Sequence, residues 1–559
     1  MSVRWPAPRA FCAAALALLS GTATAQPADT VFVNGKIIRY DAPIASALAV
    51  QGSTIAAVGG EEDVKALIAT RTRVIDLGGR TVIPGLIDSH IHAIRAGLTW
   101  RTEVSWIGVR SLVEALARIR DKAQSVPAGA WLVIAGGWTP AQFAEDRTPT
   151  REELEAAAPN NPAFVQLFYS RVLLNRRGAE ALGLSQSQAL GPQLQFETDA
   201  AGRPTGWIKG HALAISELFN RLPRPGLEES IAGTRDFFRE LNKVGVTGVD
   251  DPGGYNLTRS DYQALFALWR DHRLSLRVRY SICAPAPSRE LQDFETLTQL
   301  LPMGFGDAWL RFNGIGETVT WGMYNNDQPS PADQQHLGEV LRWAAARGLT
   351  ATFHWNNERS VHFLLDVIER VNADMPIAKL RWSIAHIHDA SESSLQRMQA
   401  LGVGWLMQNA FYFRGEAFLA QRGIELVRSP APIMSAVRMG LHVGAGTDAH
   451  RVMWFSPFVA LQWMVDGKTI SGLAMRSPSE SPSRIEALRL FTEGSAWFSF
   501  DEERRGSIAS GKLADLVVLS DDYLSVPTEE IGKIHSVMTM VGGRIVFASG
   551  LFAPLESEN

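Results

Sequence analysis

The run Thr81-Val82-Ile83-Pro84-Gly85-Leu86-Ile87-Asp88-Ser89-His90-Ile91-His92 decides how this chain is read. An apolar stretch, turned by Pro84-Gly85, ends in two histidines one residue apart. On a β-strand, side chains at i and i+2 point to the same side, so both imidazoles can reach one point in space. Helical histidine pairs that share a metal are spaced i, i+4 instead. The spacing therefore predicts a strand end with a divalent metal beside it.

Beyond that run, short apolar segments alternate with helical ones. Strands are expected at Trp131–Ala135, Val244–Val249, Leu276–Ile282, Leu310–Glu317, Leu349–Trp355, Leu380–Ile387, Val403–Gln408 and His442–Thr447. Helical stretches lie between most of them, for example Pro331–Arg347 and Ser391–Leu401. Alternation at this scale predicts an α/β fold with a parallel sheet, and the number of repeats favours a distorted (β/α)8 TIM barrel over an open sheet. Such a barrel carries its chemistry at the C-terminal ends of its strands. The stretch at about 140–225 is richer in Pro, Gly and polar residues and reads as an insertion over the barrel mouth.

The two chain ends share another texture. Val31-Phe32-Val33 and Lys36-Ile37-Ile38 flank Asn34-Gly35, a strong hairpin signal. Ala514–Leu519, Val537–Val541 and Arg544–Val546 repeat it near the C-terminus. Residues 26–84 and 500–559 are expected to form one small β-sandwich domain, with 85–499 as the barrel.

The chain has 559 residues, is 46% hydrophobic and 20% charged, and carries a net charge of −4. This is an ordinary globular composition, without the basic footprint that nucleic acid or a membrane surface requires. Arg4 and Arg9 precede an apolar run from Ala10 to Leu19, and Ala23-Thr24-Ala25 follows as a cleavage signal. Residues 1–25 thus read as a signal peptide, cleaved after Ala25, for a periplasmic or secreted protein. That run is too short to span a membrane stably, and no other segment is apolar enough. Cys12 would leave with the signal, so Cys283 is the lone mature cysteine and no internal disulfide can form.

The expected strand ends are more telling than the strands. His354, His386, Asp448 and Glu317 each close one. With His90 and His92 they place four imidazoles and two carboxylates on one barrel face. Neutral imidazole and carboxylate oxygen are ligands that Zn²⁺ favours and that Mn²⁺ or Fe²⁺ accept. A lone strand-end histidine is more often a hydrogen-bonded core residue; the coincidence of four is what points to metal. His388 and His450 flank these positions and are candidates for supporting roles or for the plain surface, and His442 reads as structural.

The order of these features resembles the amidohydrolase superfamily, most closely its family 3, the branch with N-substituted formamide deformylase-like hydrolases. The resemblance spans essentially the whole mature chain. It rests on Val33-Asn34-Gly35-Lys36, Pro84 to His92, Gly444-Ala445-Gly446-Thr447-Asp448, and the closing Gly506-Ser507-Ile508 and Gly511 to Val518. It implies that His90, His92, His354 and His386 are ligands, and that Asp448 both binds metal and shuttles the proton as the catalytic residue. Many members carry a carboxylated lysine on the fourth strand that bridges two metals. Here that region reads Asn313-Gly314-Ile315-Gly316-Glu317, and Glu317 is the natural substitute. Its alternative is to pair elsewhere, leaving one ion. Lys209 is a remote second candidate. The Asp-Gly-His that members usually show is Phe168-Tyr169-Ser170 here, and the Glu often found before the sixth-strand histidine is Ala385.

A metal-activated water attacking an amide-like C–N bond follows from this ligand set. The implied cofactor is a divalent metal, first of all zinc, as one or two ions. Aromatic residues gather past the strand ends: Trp321, Tyr324, Trp355, Phe411 and Trp454 are expected to line a pocket for an aromatic or apolar N-acyl or N-formyl small molecule. Some of the sixteen Trp have the alternative use of sealing the barrel or a homo-oligomer contact. Arg451 offers an anion contact, with an ordinary surface arginine as the alternative. The same activated water would also serve a deaminase or an ester or lactone hydrolase, and the missing lysine leaves room for a decayed, merely metal-binding protein.

Overall fold

The computed structural model describes residues 26–184, 193–254, 257–324, 326–422 and 430–557. The expected signal peptide lies outside the described residues.

Eight parallel strands build the centre: β1 (Leu86–Asp88), β2 (Val246–Asp251), β3 (Arg277–Ile282), β4 (Leu310–Ile315), β5 (Thr352–Trp355), β6 (Ser383–His386), β7 (Gly404–Gln408) and β8 (Val443–Gly446). They form two four-stranded sheets, β1-β2-β3-β4 and β5-β6-β7-β8, parallel throughout. Every residue of β2, β3, β6, β7 and β8 is buried, as expected of parallel strands covered on both faces. Helices fill the intervals, and their ends are written locally. Pro331–Ala346 starts on Ser330, whose hydroxyl accepts from Asp333 N. Glu392–Leu401 starts on Ser391 and stops at Gly402, whose φ of 69° ends the helix. The arrangement is TIM-barrel-like, and its largest hydrophobic cluster lies between the strands and these helices.

Regular pairing stops at two seams. Between β4 and β5, one parallel bridge joins Ile315 to Ala351. Gly314 and Gly316 make that approach feasible: a Cβ would lie 2.2 Å from Thr350 O at the first and 2.4 Å from Thr352 O at the second, and both have positive φ. Between β8 and β1, Ser89 N donates to Ala445 O (3.2 Å) and Asp448 N to His90 O (2.8 Å).

Three further sheets surround this centre. Thr54–Gly59, Ala47–Gln51, Thr30–Val33 and Arg73–Asp76 form one; Lys36–Ile37, Thr81–Pro84, Leu516–Leu519, Ser536–Val541 and Arg544–Ala548 form another. Both contribute to one core with Phe32, Ile37, Leu48, Val82, Leu516 and Met540. The hairpin expected at Asn34-Gly35 does not form. Asn34 is left-handed (φ 54°), and the chain passes there from the first sheet to the second. Burying Phe32 and Ile37 in the shared core outweighs the local turn preference.

The last sheet, in the order Leu194–Thr198, Pro204–Gly210, Arg171–Leu174, Ala163–Leu167 and Leu132–Ile134, sits between β1 and β2 in the chain. It corrects one expectation: Trp131–Ala135 is not a central strand but contributes the edge of this added sheet, parallel to Ala163–Leu167. Lys209 lies exposed on the same sheet. A buried apolar run looks alike in either sheet, so only its pairing partner separates them.

Candidate metal centre

His90 and His92 follow the end of β1 rather than lying within it, and His92 is the residue from which helix Ala93–Thr99 starts. Their rings still converge, with centroids 5.5 Å apart. Asp88 fixes this turn. Its Oδ1 accepts from His90 N (3.2 Å) and Thr447 N (3.0 Å), and its Oδ2 from Thr447 Oγ1 (2.6 Å). The ends of β1 and β8 are thus held together, and a Cβ on Gly446 would lie 2.6 Å from His90 N. Two other contributors adopt the left-handed region, His386 at φ 75° and Asp448 at 54°. Uncommon backbone of this kind gathers where side chains must be aimed.

His90, His92, Glu317, His354, His386 and Asp448 surround one small volume. His92 Nε2 is 3.1 Å from Asp448 Oδ1 and 3.4 Å from Glu317 Oε1. His90 Nε2 is 3.5 Å from Glu317 Oε2 and 3.7 Å from Asp448 Oδ1. Glu317 Oε2 is 2.9 Å from His354 Nδ1 and 3.7 Å from His386 Nε2. Two sets of three ligand atoms fall within 4.8 Å of one another, His90/His92/Asp448 and His90/Glu317/His386. They share His90. Its ring is fully buried, yet neither ring nitrogen has a hydrogen-bond partner. Buried polar atoms are normally satisfied, so this donor set fits a divalent cation. His92 Nδ1 lies 2.6 Å from Gly253 O, which leaves Nε2 aimed inward when Nδ1 carries the proton.

The electrostatics suit the same purpose. Burial alone would raise Asp448, but the hydrogen bond from His92 and the nearby imidazoles hold it down to about 2. Burial likewise opposes ionisation of Glu317, and His354 and His92 overcome it, keeping that carboxyl well below its ordinary range. Burial lowers His90, and lowers His354 to about 4, whereas at His92 burial and Arg95 are outweighed by the carboxylates of Glu317 and Asp448, which raise the imidazole, so that a cation would have to displace its proton. Ionised carboxylates and neutral imidazoles are the forms in which these groups ligate metal.

The expected aromatic residues divide. The ring of Tyr324 stacks on His354, centroids 4.5 Å apart, with Trp321 next to it at 6.1 Å. Trp355 turns to helix Glu358–Asp374, where Nε1 donates to Ser360 Oγ. Phe411 packs on His388, and Trp454 packs on Phe413 while donating to Gly137 O. His450 pairs with Glu103 (2.7 Å), and His442 stacks on Trp497. Asp88 and Asp251 were missed by reading strand ends alone. Asp251 accepts from Ile94 N and Gly253 N, bracing both neighbours of His92. Asp88 stands two residues before His90, so the same i, i+2 reading would have reached it.

The profile described as the amidohydrolase family matches residues 73–547. N-substituted formamide deformylase of Arthrobacter pascens is 26% identical over 552 residues, covering 93% of this chain and 98% of that protein. A metal-dependent hydrolase from Pyrococcus horikoshii superposes with a TM-score of 0.64 at 21% identity, over 89% of this chain and 99% of its own. Atrazine chlorohydrolase from Arthrobacter aurescens, complexed with zinc, gives a TM-score of 0.52 at 15% identity, over 93% of this chain and 95% of its own. The two structural likenesses speak for the fold.

Proposed function

The chain belongs to the amidohydrolase family of metal-dependent hydrolases, and from that premise we propose that it cleaves an amide-like, non-peptide C–N bond of an aromatic or apolar N-acyl or N-formyl substrate. The observation that carries this reading is the convergence of four imidazoles and two carboxylates around the unpartnered nitrogens of His90. We take His90, His92, His354, His386, Glu317 and Asp448 as the metal-holding residues. The two ligand sets meet at His90, Glu317 would be the carboxylate to serve a second ion if two were held, and zinc is the ion this mixture of nitrogen and oxygen donors favours.

A divalent ion held here would supply a water of lowered pKa and polarise the scissile carbonyl. Asp448, ionised and 3.1 Å from His92, accepts the proton of the attacking water and returns it to the departing amine. Tyr324, stacked on His354, and Trp321 beyond it offer an apolar wall to the acyl or amine group. The formamide-cleaving relative favours an amide over the ester, lactone and amidine substrates that the same chemistry could serve. The protein is further proposed to act outside the cytoplasm, on the strength of its first 25 residues; among the described residues no helix is long and apolar enough to cross a membrane.

The test is metal analysis of purified protein together with hydrolysis of N-formyl, N-acyl, ester, lactone and amidine compounds. One or two zinc ions per chain and preferred amide cleavage are expected. Folded protein with less than one transition metal per chain would indicate a decayed site, and preferred cleavage of another class would replace the amide reading.

A further inference from the structure

Two arginines beside this centre lack a carboxylate of their own. Arg95 lies in helix Ala93–Thr99, just after His92, and Arg451 in the loop after Asp448. Both are buried, at 5% and 6% exposure. Arg95 leaves Nε and Nη1 without a hydrogen-bond partner, and Arg451 leaves Nε. Among the described residues, no carboxylate oxygen comes within 4.0 Å of either guanidinium. Arg277 and Arg279 show the usual outcome of such burial: each meets an aspartate at 2.8 Å. Tyr169 hydrogen-bonds Arg451, and the more distant Glu317, Asp448 and Asp251 favour the charge of Arg95, yet a buried guanidinium without a carboxylate in hydrogen-bond reach keeps donors free, and its planar fork matches a carboxylate.

Their surroundings form a receptacle. A Cβ on Gly254 would lie 3.0 Å from Arg95 Nη1 and 3.2 Å from His92 Nδ1, so this guanidinium flanks a residue of the metal cluster. The backbone of Arg451 is pinned by Gly137 N, which donates to its carbonyl (2.8 Å), and its guanidinium lies 3.8 Å from the centre of the Phe219 ring. The Tyr169 ring is 5.6 Å from the Arg95 guanidinium. Both arginines line a cavity of about 100 Å³ whose apolar walls include Leu98, Phe219, Leu222 and Leu257. The acids along this cavity are engaged elsewhere: Glu103 with His450 and Thr99, Asp261 with Arg224 and Thr258.

We propose that Arg95 and Arg451 bind a carboxylate carried by the substrate, so that the enzyme acts on acidic amides such as N-acylated amino acids in preference to neutral ones. This deepens the amide-hydrolase reading and rests on it. The apolar walls would hold the carbon atoms next to the carboxylate while the amide reaches the metal cluster.

Binding of N-formylphenylalanine and of N-formylphenylalaninamide to the metal-loaded protein, measured by calorimetry for both enantiomers, tests this. The acid is expected to bind roughly tenfold or more tightly than the amide, the factor associated with one charge-assisted hydrogen bond. In Arg95→Met and Arg451→Met, the acid-to-amide ratio should fall below about threefold, and Arg95→Lys should restore part of it. Melting temperature and metal content identify any variant that fails to fold, and the wild-type ratio needs no variant. Equal binding of acid and amide, no binding of the acid, or a ratio that both folded Met variants retain would overturn the proposal. So would phenylacetate that binds without displacing N-formylphenylalanine, since the pocket would then serve a separate anion. Turnover is scored apart: acid preference without C–N cleavage leaves the pocket and removes the hydrolase reading, whereas equal cleavage of both compounds does the reverse.

Discussion

Asp448 carries two roles on one side chain, holding the cation and moving the proton. Asp448→Asn keeps an oxygen donor but removes the base, so kcat is expected to fall by roughly 10²–10⁴-fold, as read by steady-state hydrolysis on protein whose metal content has been measured. His90→Ala removes the residue shared by both ligand sets, so metal analysis should show loss of bound ions together with hydrolysis. Normal hydrolysis by that variant would remove the proposed centre. Asp88 never reaches the cluster volume, yet its three hydrogen bonds hold His90 and Thr447 in place. Asp88→Asn should therefore weaken metal binding by about 10–100-fold in competition with a chelator, while the fold persists. Unchanged affinity would show that the β1 turn holds itself. The six cluster residues were legible because each ends an apolar run. Arg95 and Tyr169 were not, because their meaning depends on the distant residues placed against them.

At the scale of elements, the β4–β5 seam delivers Glu317. Its two glycines let the sheets approach where any side chain would meet backbone oxygen. Gly316→Ala combines positive φ with a 2.4 Å approach to Thr352 O, so a loss of about 1–3 kcal/mol or more is expected in denaturant unfolding, along with weaker metal binding as Glu317 shifts. Stability within a few tenths of wild type would mean that the seam can relax. Most of the central strands and the helices after Ser330 and Ser391 could be read locally, because period and capping are written in neighbouring residues. Trp131–Ala135 and Asn34-Gly35 could not. Their outcome was set by which sheet buries the adjoining apolar side chains, and that depends on partners far along the chain.

Across the whole molecule, a buried charge knot ties the segment after the last central helices to the strands. Asp501 Oδ2 meets Arg279 (2.8 Å), Arg311 (3.0 Å) and Arg505 (3.2 Å). Burial raises the Asp501 carboxyl, but these three guanidiniums hold it below its ordinary value of 3.8. A carboxyl depressed in the folded state stabilises fully above its unfolded pKa, and the contribution fades as pH falls through the folded value. Asp501→Ala should cost about 3–5 kcal/mol near neutrality, because the buried Arg279 and Arg505 and the half-buried Arg311 lose their partner. The gap from wild type in urea unfolding should narrow as pH falls below about 4; a gap independent of pH would assign the loss to packing instead. The sequence by itself determined the parallel α/β alternation, the cluster of metal-binding residue types and the family, since these are written in local period and in strand-end chemistry. Tertiary structure alone decided that β1 meets β8 through Asp88, that Glu317 faces four imidazoles, and that Arg95 and Arg451 share a buried pocket. Those outcomes depend on distances between residues hundreds of positions apart, which packing sets and no local pattern encodes.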